Sequence, residues 1–178
     1  MAAPHRGNTG HGTYFITTSA FQKQSLFQTD RMGELFVGVL LGYRSQQKYL
    51  LHEFVLMPNH FHLLITPTLS LERALQLIKG GFSFRAKREL GFTGEIWEKS
   101  FYDRRVRDWE EYCAFRRYIH LNPVKKSLAS APEEYPYSSA PRTGVGCSPS
   151  AAKAVEFDRM NRSGEPLRHP KAGRETVL

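Results

Sequence analysis

The chain has 178 residues, with 25 Lys and Arg against 17 Asp and Glu, a formal charge of +8, and two cysteines. That length suits one domain with a real core rather than a multidomain enzyme, no apolar run approaches the roughly 20 residues that cross a bilayer, and the start MAAPHRGNTGHG lacks the apolar centre of a secretory signal. With no CxxC, a disulfide framework and a cysteine zinc site are both disfavoured, so the expectation is a soluble cytoplasmic chain whose basic balance favours an acidic partner, nucleic acid first.

Residues 1 to 12 are Gly- and His-rich and read as a flexible N-terminus. Tyr14 to Thr18 is β-branched and aromatic, the signature of a strand. From Asp30, as N-cap, to about Lys48, apolar residues at Leu35, Phe36, Val39, Leu40 and Tyr43 recur at helical spacing. Leu50 to Met57 and His60 to Thr66 read as strands joined by a Pro58-Asn59 turn, hence an antiparallel hairpin. Ser70 caps a long helix carrying Leu71, Ala74, Leu75, Ile78 and Phe82, with Gly80-Gly81 as a potential bend. A strand-like stretch spans Ile96 to Val106, and Asp108 opens a last helix that is expected to stop near Asn122, because proline disfavours helical geometry in the residue before it. Residues 141 to 178 turn to Pro, Gly, Ser, Arg and Lys without apolar periodicity, so a disordered basic tail is expected. The order β-α-β-β-α-β plus one helix is the split βαβ, or ferredoxin-like, α+β arrangement: an antiparallel sheet with helices on one face, the opposite face left free for a site.

Charge is not spread evenly. Residues 72 to 126 carry 13 basic and 8 acidic side chains, most of the excess, interleaved with rings such as Phe82, Trp97, Tyr102 and Phe115. Cations on phosphates and rings under unstacked bases are how single-stranded nucleic acid is held. The same rings serve equally well as core packing.

Two constellations could carry chemistry. In His60-Phe61-His62-Leu63-Leu64-Ile65, strand alternation sends His60 and His62 to one face and Phe61, Leu63 and Ile65 to the other. Imidazoles about 7 Å apart along a strand can converge on one cation; two ordinary, partly exposed histidines on an amphipathic strand give the same pattern. On the last helix, Trp109, Tyr112, Phe115 and Ile119 form the apolar stripe, while Tyr118 and Asn122, four apart, share a flank beside the core. A flank tyrosine is also an ordinary packer, and an Asn before Pro an ordinary helix stop. Cys113 reads as a small buried hydrophobe.

Four blocks in order then become recognisable: Val55 to Ile65 (VLMPNHFHLLI), Trp97 to Arg107 (WEKSFYDRRVR), Tyr118 to Val124 (YIHLNPV) and Glu133 to Ser139 (EEYPYSS). Together they resemble the REP-associated tyrosine transposases, single-tyrosine HUH transposases related to the smallest insertion-sequence enzymes, over about residues 13 to 140. The resemblance implies a ferredoxin-like catalytic domain that binds hairpin-forming single-stranded DNA and cuts and rejoins it through a covalent phosphotyrosine. It implies His60 and His62 as the metal-binding histidine pair, Tyr118 as nucleophile and Asn122 as a third metal ligand, where insertion-sequence relatives often have Gln. A monomer acting with Tyr118 in cis is expected, since it is the insertion-sequence relatives that dimerise to share active-site parts. Trp97, Tyr102, Arg104, Arg105 and Arg107 are the candidate DNA contacts, through phosphate pairing and base stacking.

The implied chemistry explains these residue types. Two imidazoles and an amide oxygen leave positions open on Mg²⁺ or Mn²⁺ for phosphate oxygen and water, and such an ion stabilises charge that builds on an attacked phosphodiester. Phenols ionise near pH 10, so cations such as Arg116 or Arg117 would help the nucleophile. Two alternatives remain: a non-catalytic single-stranded nucleic-acid-binding protein on the same kind of sheet, and a histidine-zinc hydrolase that attacks phosphodiesters with an activated water.

Overall fold

The computed structural model describes residues 12–140, so the expectations for residues 1–11 and 141–178 lie outside the described residues. The main elements are β1 (Tyr14–Ser19), α1 (Asp30–Ser45), β2 (Tyr49–Met57), β3 (His60–Pro67), α2 (Leu71–Leu90), β4 (Tyr102–Arg105) and α3 (Trp109–Lys125). The strands form one antiparallel sheet in the order β2-β3-β1-β4. This is the expected ferredoxin-like α+β fold with an additional helix bearing Tyr118. No helix among the described residues is long and apolar enough to cross a membrane.

Strand alternation feeds two cores, not one. Tyr14, Ile16, Phe61, Leu63 and Ile65 meet Phe36, Leu40, Ile78 and Phe82 of α1 and α2. Phe15, Val55, Met57 and Leu64 point the other way and meet Tyr112 and Ile119 of α3. The sheet's second face is therefore largely covered rather than free, because the apolar stripe of α3 must be buried somewhere; full burial of Ile119 alone stabilises by about 1.5–3 kcal/mol. Helix α2 runs unbroken through Gly80-Gly81. A Cβ on Gly81 would stand 2.7 Å from the Tyr43 ring, so glycine there serves the close approach of α1 and α2.

Several boundaries differ from expectation, each for a local reason. Thr29, not Asp30, is the N-cap of α1, and Asp30 sits in its first turn, where an acidic group suits the helix dipole. Ser70 and Asp108 cap as expected, accepting from the Arg73 and Glu111 amides. Helix α3 passes through Pro123 to Lys125: in the last turn proline removes a single donor, and the amides of Lys126, Ser127 and Leu128 close the end. The stretch 96–106 contributes a strand of only four residues, and Trp97 adds an isolated bridge to Ala20.

Strand β2 also carries a bulge between Leu51 and Glu53. One extra residue puts two successive side chains on one side. His52 and Glu53 consequently both face α3, His52 against the Tyr112 ring and Glu53 against Arg116 and His120.

Candidate active site

The hairpin of β2 and β3 delivers the histidine pair to the α3 side of the sheet. His60 Nε2 and His62 Nε2 lie 3.2 Å apart, far closer than strand rise alone suggests, because the rings lean together edge to face. His60 Nδ1 donates to Asn59 Oδ1 at 2.6 Å, which leaves the lone pair on Nε2. His62 Nδ1 shares a hydrogen bond with Thr17 Oγ1 at 2.8 Å, and that hydroxyl suits either tautomer. Such outer partners orient metal-ligating imidazoles. Rather than pointing into solvent, His62 is only 4% exposed and stacks on Phe15. Burial, and then the neighbouring His60, push its pKa down to about 3. Burial followed by the ammonium groups of Lys126 and Lys23 lowers that of His60. Both rings are therefore neutral at pH 7, as ligands must be.

Helix α3 supplies the other expected groups. The Tyr118 ring stands edge-on to His62 with centroids 5.1 Å apart, and the residue is 41% exposed. Asn122, expected beside the core, is instead 5% exposed. It occupies the same helical row as Tyr118 and Lys126, and Lys126 lines the cavity that both histidines line. Among the described residues no three His, Cys, Asp or Glu side chains gather as a metal site. Two neutral nitrogens converging on one point, with an amide-bearing row alongside, fit a divalent cation with open positions.

Of the two arginines expected to help the nucleophile, one is engaged elsewhere. Arg116 turns away to pair with buried Glu53 at 2.8 Å, while Lys125 lies over the Tyr118 ring at 5.9 Å. Glu53 also accepts from His120 and from Ser139, each at 2.7 Å. Burial would raise this carboxyl, but the hydrogen bonds from His120 and Ser139 and the charges of His120 and Arg116 outweigh it and hold it below the ordinary carboxylate value. One carboxylate thus ties β2 to α3 and to the segment around Ser139, whose amide and that of Leu56 join it to the edge of β2. Glu53→Ala is expected to cost about 3 kcal/mol in urea unfolding, since it leaves a guanidinium and an imidazole without their buried acceptor. A change under 1 kcal/mol would contradict that role.

His52 adds a pH dependence. Burial, opposed by Glu53, takes its pKa from 6.5 down to about 4. As pH falls below 6.5 the unfolded chain takes up a proton that the folded chain refuses until about pH 4, so stability is full above that window and lost through it. The contribution is at most about 1.4 kcal/mol per pH unit. Melting temperatures from pH 7 to pH 4 are expected to fall in this window, and to fall less steeply in His52→Gln.

The proposed DNA contacts divide. Trp97 is not offered as a stacking platform: its ring lies 5.5 to 6.0 Å from those of Phe27, Phe36, Phe61 and Phe82, and its N–H donates to Lys79 O and Ser83 Oγ. Tyr102 pairs in register with Thr17 and Arg104 with Phe15, which puts both on the histidine face; Tyr102 is 55% exposed. Arg105, opposite Tyr14, belongs to the other face. Arg104 and Arg107 both pair with Glu111. Cys113, read from the sequence as a small buried hydrophobe in a chain with disulfides disfavoured, is disulfide-bonded. Lys23, Lys125 and Lys126 escaped the sequence reading: the turn after β1 brings Lys23 to the site, and the end of α3 brings the other two.

Residues 11–122 match the family described as Transposase IS200 like. A Haemophilus influenzae protein provisionally named a REP-associated tyrosine transposase is 26% identical over 154 residues, covering 78% of this chain and 85% of its own. The REP-associated tyrosine transposase of Escherichia coli K12 is 23% identical over 136 residues, covering 72% and 76%. A solved structure, described as a REP-associated tyrosine transposase bound to a REP hairpin, matches in fold with a TM-score of 0.65 at 21% identity, over 80% of this chain and 84% of that one.

Proposed function

The chain belongs to the IS200-like transposase family, and from that premise we propose that it binds hairpin-forming single-stranded DNA and cleaves and rejoins it through Tyr118. One observation carries the reading: the Tyr118 ring stands 5.1 Å from His62, whose Nε2 faces that of His60 at 3.2 Å, within a single chain. Nucleophile and ligand pair in one chain support catalysis in cis by a monomer.

In this reading the Tyr118 oxygen attacks the scissile phosphorus. A phosphorus–oxygen bond to tyrosine forms as the bond to the 3′ oxygen breaks; the phenol gives its proton to solvent and the 3′ oxygen takes one up. The products are a 5′-phosphotyrosine and a free 3′-OH, and a second 3′-OH can reverse the step without an external energy source. His60 and His62, with the Asn122 amide, are the residues that would hold Mg²⁺ or Mn²⁺, which when bound stabilises negative charge on the phosphate oxygens. Asn59 fixes the tautomer of His60, Thr17 orients His62, and Lys125 offers a cation to the DNA beside the nucleophile. The DNA is the kind named for the solved relative, a REP-type hairpin, with Tyr102 and Arg104 on the face that would receive it.

Wild-type protein incubated with Mn²⁺ and a labelled REP-type hairpin is expected to give a denaturation-resistant protein–DNA adduct that a chelator prevents. Tight hairpin binding with no adduct under any divalent cation would favour the non-catalytic binder and overturn the reading.

A further inference from the structure

Beside the histidine pair lies a cavity of about 450 Å³, within the usual size range of ligand pockets. Two lysines reach it from different elements. Lys23 comes from the turn after β1, and Lys126 from the residue that closes α3. Neither makes an ion pair with any described residue, although pairs such as Arg104 with Glu111 and Arg116 with Glu53 are frequent elsewhere on this chain. The hydroxyls of Ser19 and Ser25 line the same space.

The backbone at these two places is unusual. Gln22 and Lys23 take φ of 50° and 54°, and Ser127, next to Lys126, takes 54°. Left-handed geometry is rare in residues with a Cβ, and such backbone clusters where a ligand is gripped. Here it is held in place: the Gln22 amide donates to Glu98 Oε1 at 2.7 Å, Lys23 N to Ala20 O at 2.9 Å, and Leu128 N to Pro123 O at 2.9 Å. The first turn is thus fixed with Lys23 at the cavity, and the second ends α3 directly after Lys126.

We propose that this cavity is a phosphate subsite in which Lys23 and Lys126 clamp a backbone phosphate of single-stranded DNA adjoining the one attacked. The inference rests on the function proposed above and adds to it a site and a ligand chemistry. Two free ammonium groups and two hydroxyls provide donors and no fixed anion, which selects a phosphodiester. Away from the two imidazoles, the lining of Lys23, Ser25, Pro58 and Leu128 offers a base no ring to stack on. The clamp would fix the register of the strand, so that one phosphodiester and not its neighbour reaches Tyr118.

The test is equilibrium binding of the hairpin with its single-stranded extension, in chelator so that no strand is cut, across a salt series. Lys23→Ala and Lys126→Ala are each expected to weaken binding five- to tenfold at low salt and to reduce the salt slope by about 0.7, the value for one phosphate on a single strand. Lys→Arg at either position is expected to restore both. Neutral methylphosphonate at one position of the extension should reproduce the loss in the wild type and add nothing in the double alanine variant. Unchanged affinity and slope in both alanine variants, or methylphosphonate losses that add fully to theirs, would overturn the clamp. Because no step of this assay requires cleavage, a failed clamp leaves the phosphotyrosine reading standing, and a missing adduct leaves the clamp standing.

Discussion

Tyr118→Phe is expected to abolish strand cleavage and the covalent adduct, a fall on the order of 10⁴-fold or more, because it removes the attacking atom and nothing else supplies one. The substitution is clean. The phenyl ring keeps its edge contacts with His62 and Phe15, and only a hydroxyl at a partly exposed position is lost, so stability is expected to stay within about 0.5 kcal/mol. Hairpin affinity is expected to be unchanged as well. Gel-resolved cleavage beside a binding curve checks both halves. Cleavage that persists, releasing free ends, would instead point to water as the nucleophile.

The second large effect belongs to the histidines. His60→Ala is expected to lower cleavage on the order of 10³-fold, the several kcal/mol that a cation contributes to charge stabilisation in phosphate chemistry, while hairpin binding in chelator stays near wild type. Its fold is expected to hold, since His60 opens β3 and, among the described residues, its side chain hydrogen-bonds to its neighbours Asn59 and His62. His62→Ala is expected to lose as much activity and also about 2 kcal/mol of stability, because it opens a cavity where the ring is stacked on Phe15 beneath α3. Mn²⁺ binding followed by electron paramagnetic resonance gives a readout apart from activity: both variants are expected to bind at least tenfold more weakly. Unaltered binding in His60→Ala would remove that residue from the ligand set.

What could be read from the sequence was whatever rests on short-range period. The alternation through His60, Phe61, His62 and Leu63 fixes which side each takes once β3 is a strand, and the i, i+4 step fixes that Tyr118 and Asn122 share a row. Everything dependent on a second element was less legible. That α3 lies across the sheet decides whether Asn122 is buried, and helical spacing places it on a flank without saying what the flank meets. The bulge at His52 shifts Glu53 toward α3, and no local residue preference signals it. Trp97 satisfied the composition of a DNA-stacking residue but is used by the α2 side of the core. Lys23 escaped because a left-handed turn, not its spacing, brings it to the histidines, and Lys126 because its place on the Tyr118 row meets the cavity only once α3 lies across the sheet.

Glu53 connects the scaffold with the chemistry. Its carboxyl is held below the ordinary value, so its share of stability is full above the usual carboxylate range and is lost as pH falls through the lowered one. Because its partners Arg116 and His120 flank Tyr118 on α3, acid loosens the attachment of the helix that carries the proposed nucleophile.

The central claim is that Tyr118 itself becomes bonded to the 5′ phosphate. Trapping the adduct on a labelled hairpin, digesting protein and DNA, and locating the nucleotide by tandem mass spectrometry tests this most directly. The account predicts a phosphonucleotide on the peptide containing Tyr118, with its 5′ phosphate on the phenolic oxygen and a free 3′-OH on the other fragment. A nucleotide on any other residue, or a 3′-linked phosphate on Tyr118, would contradict it.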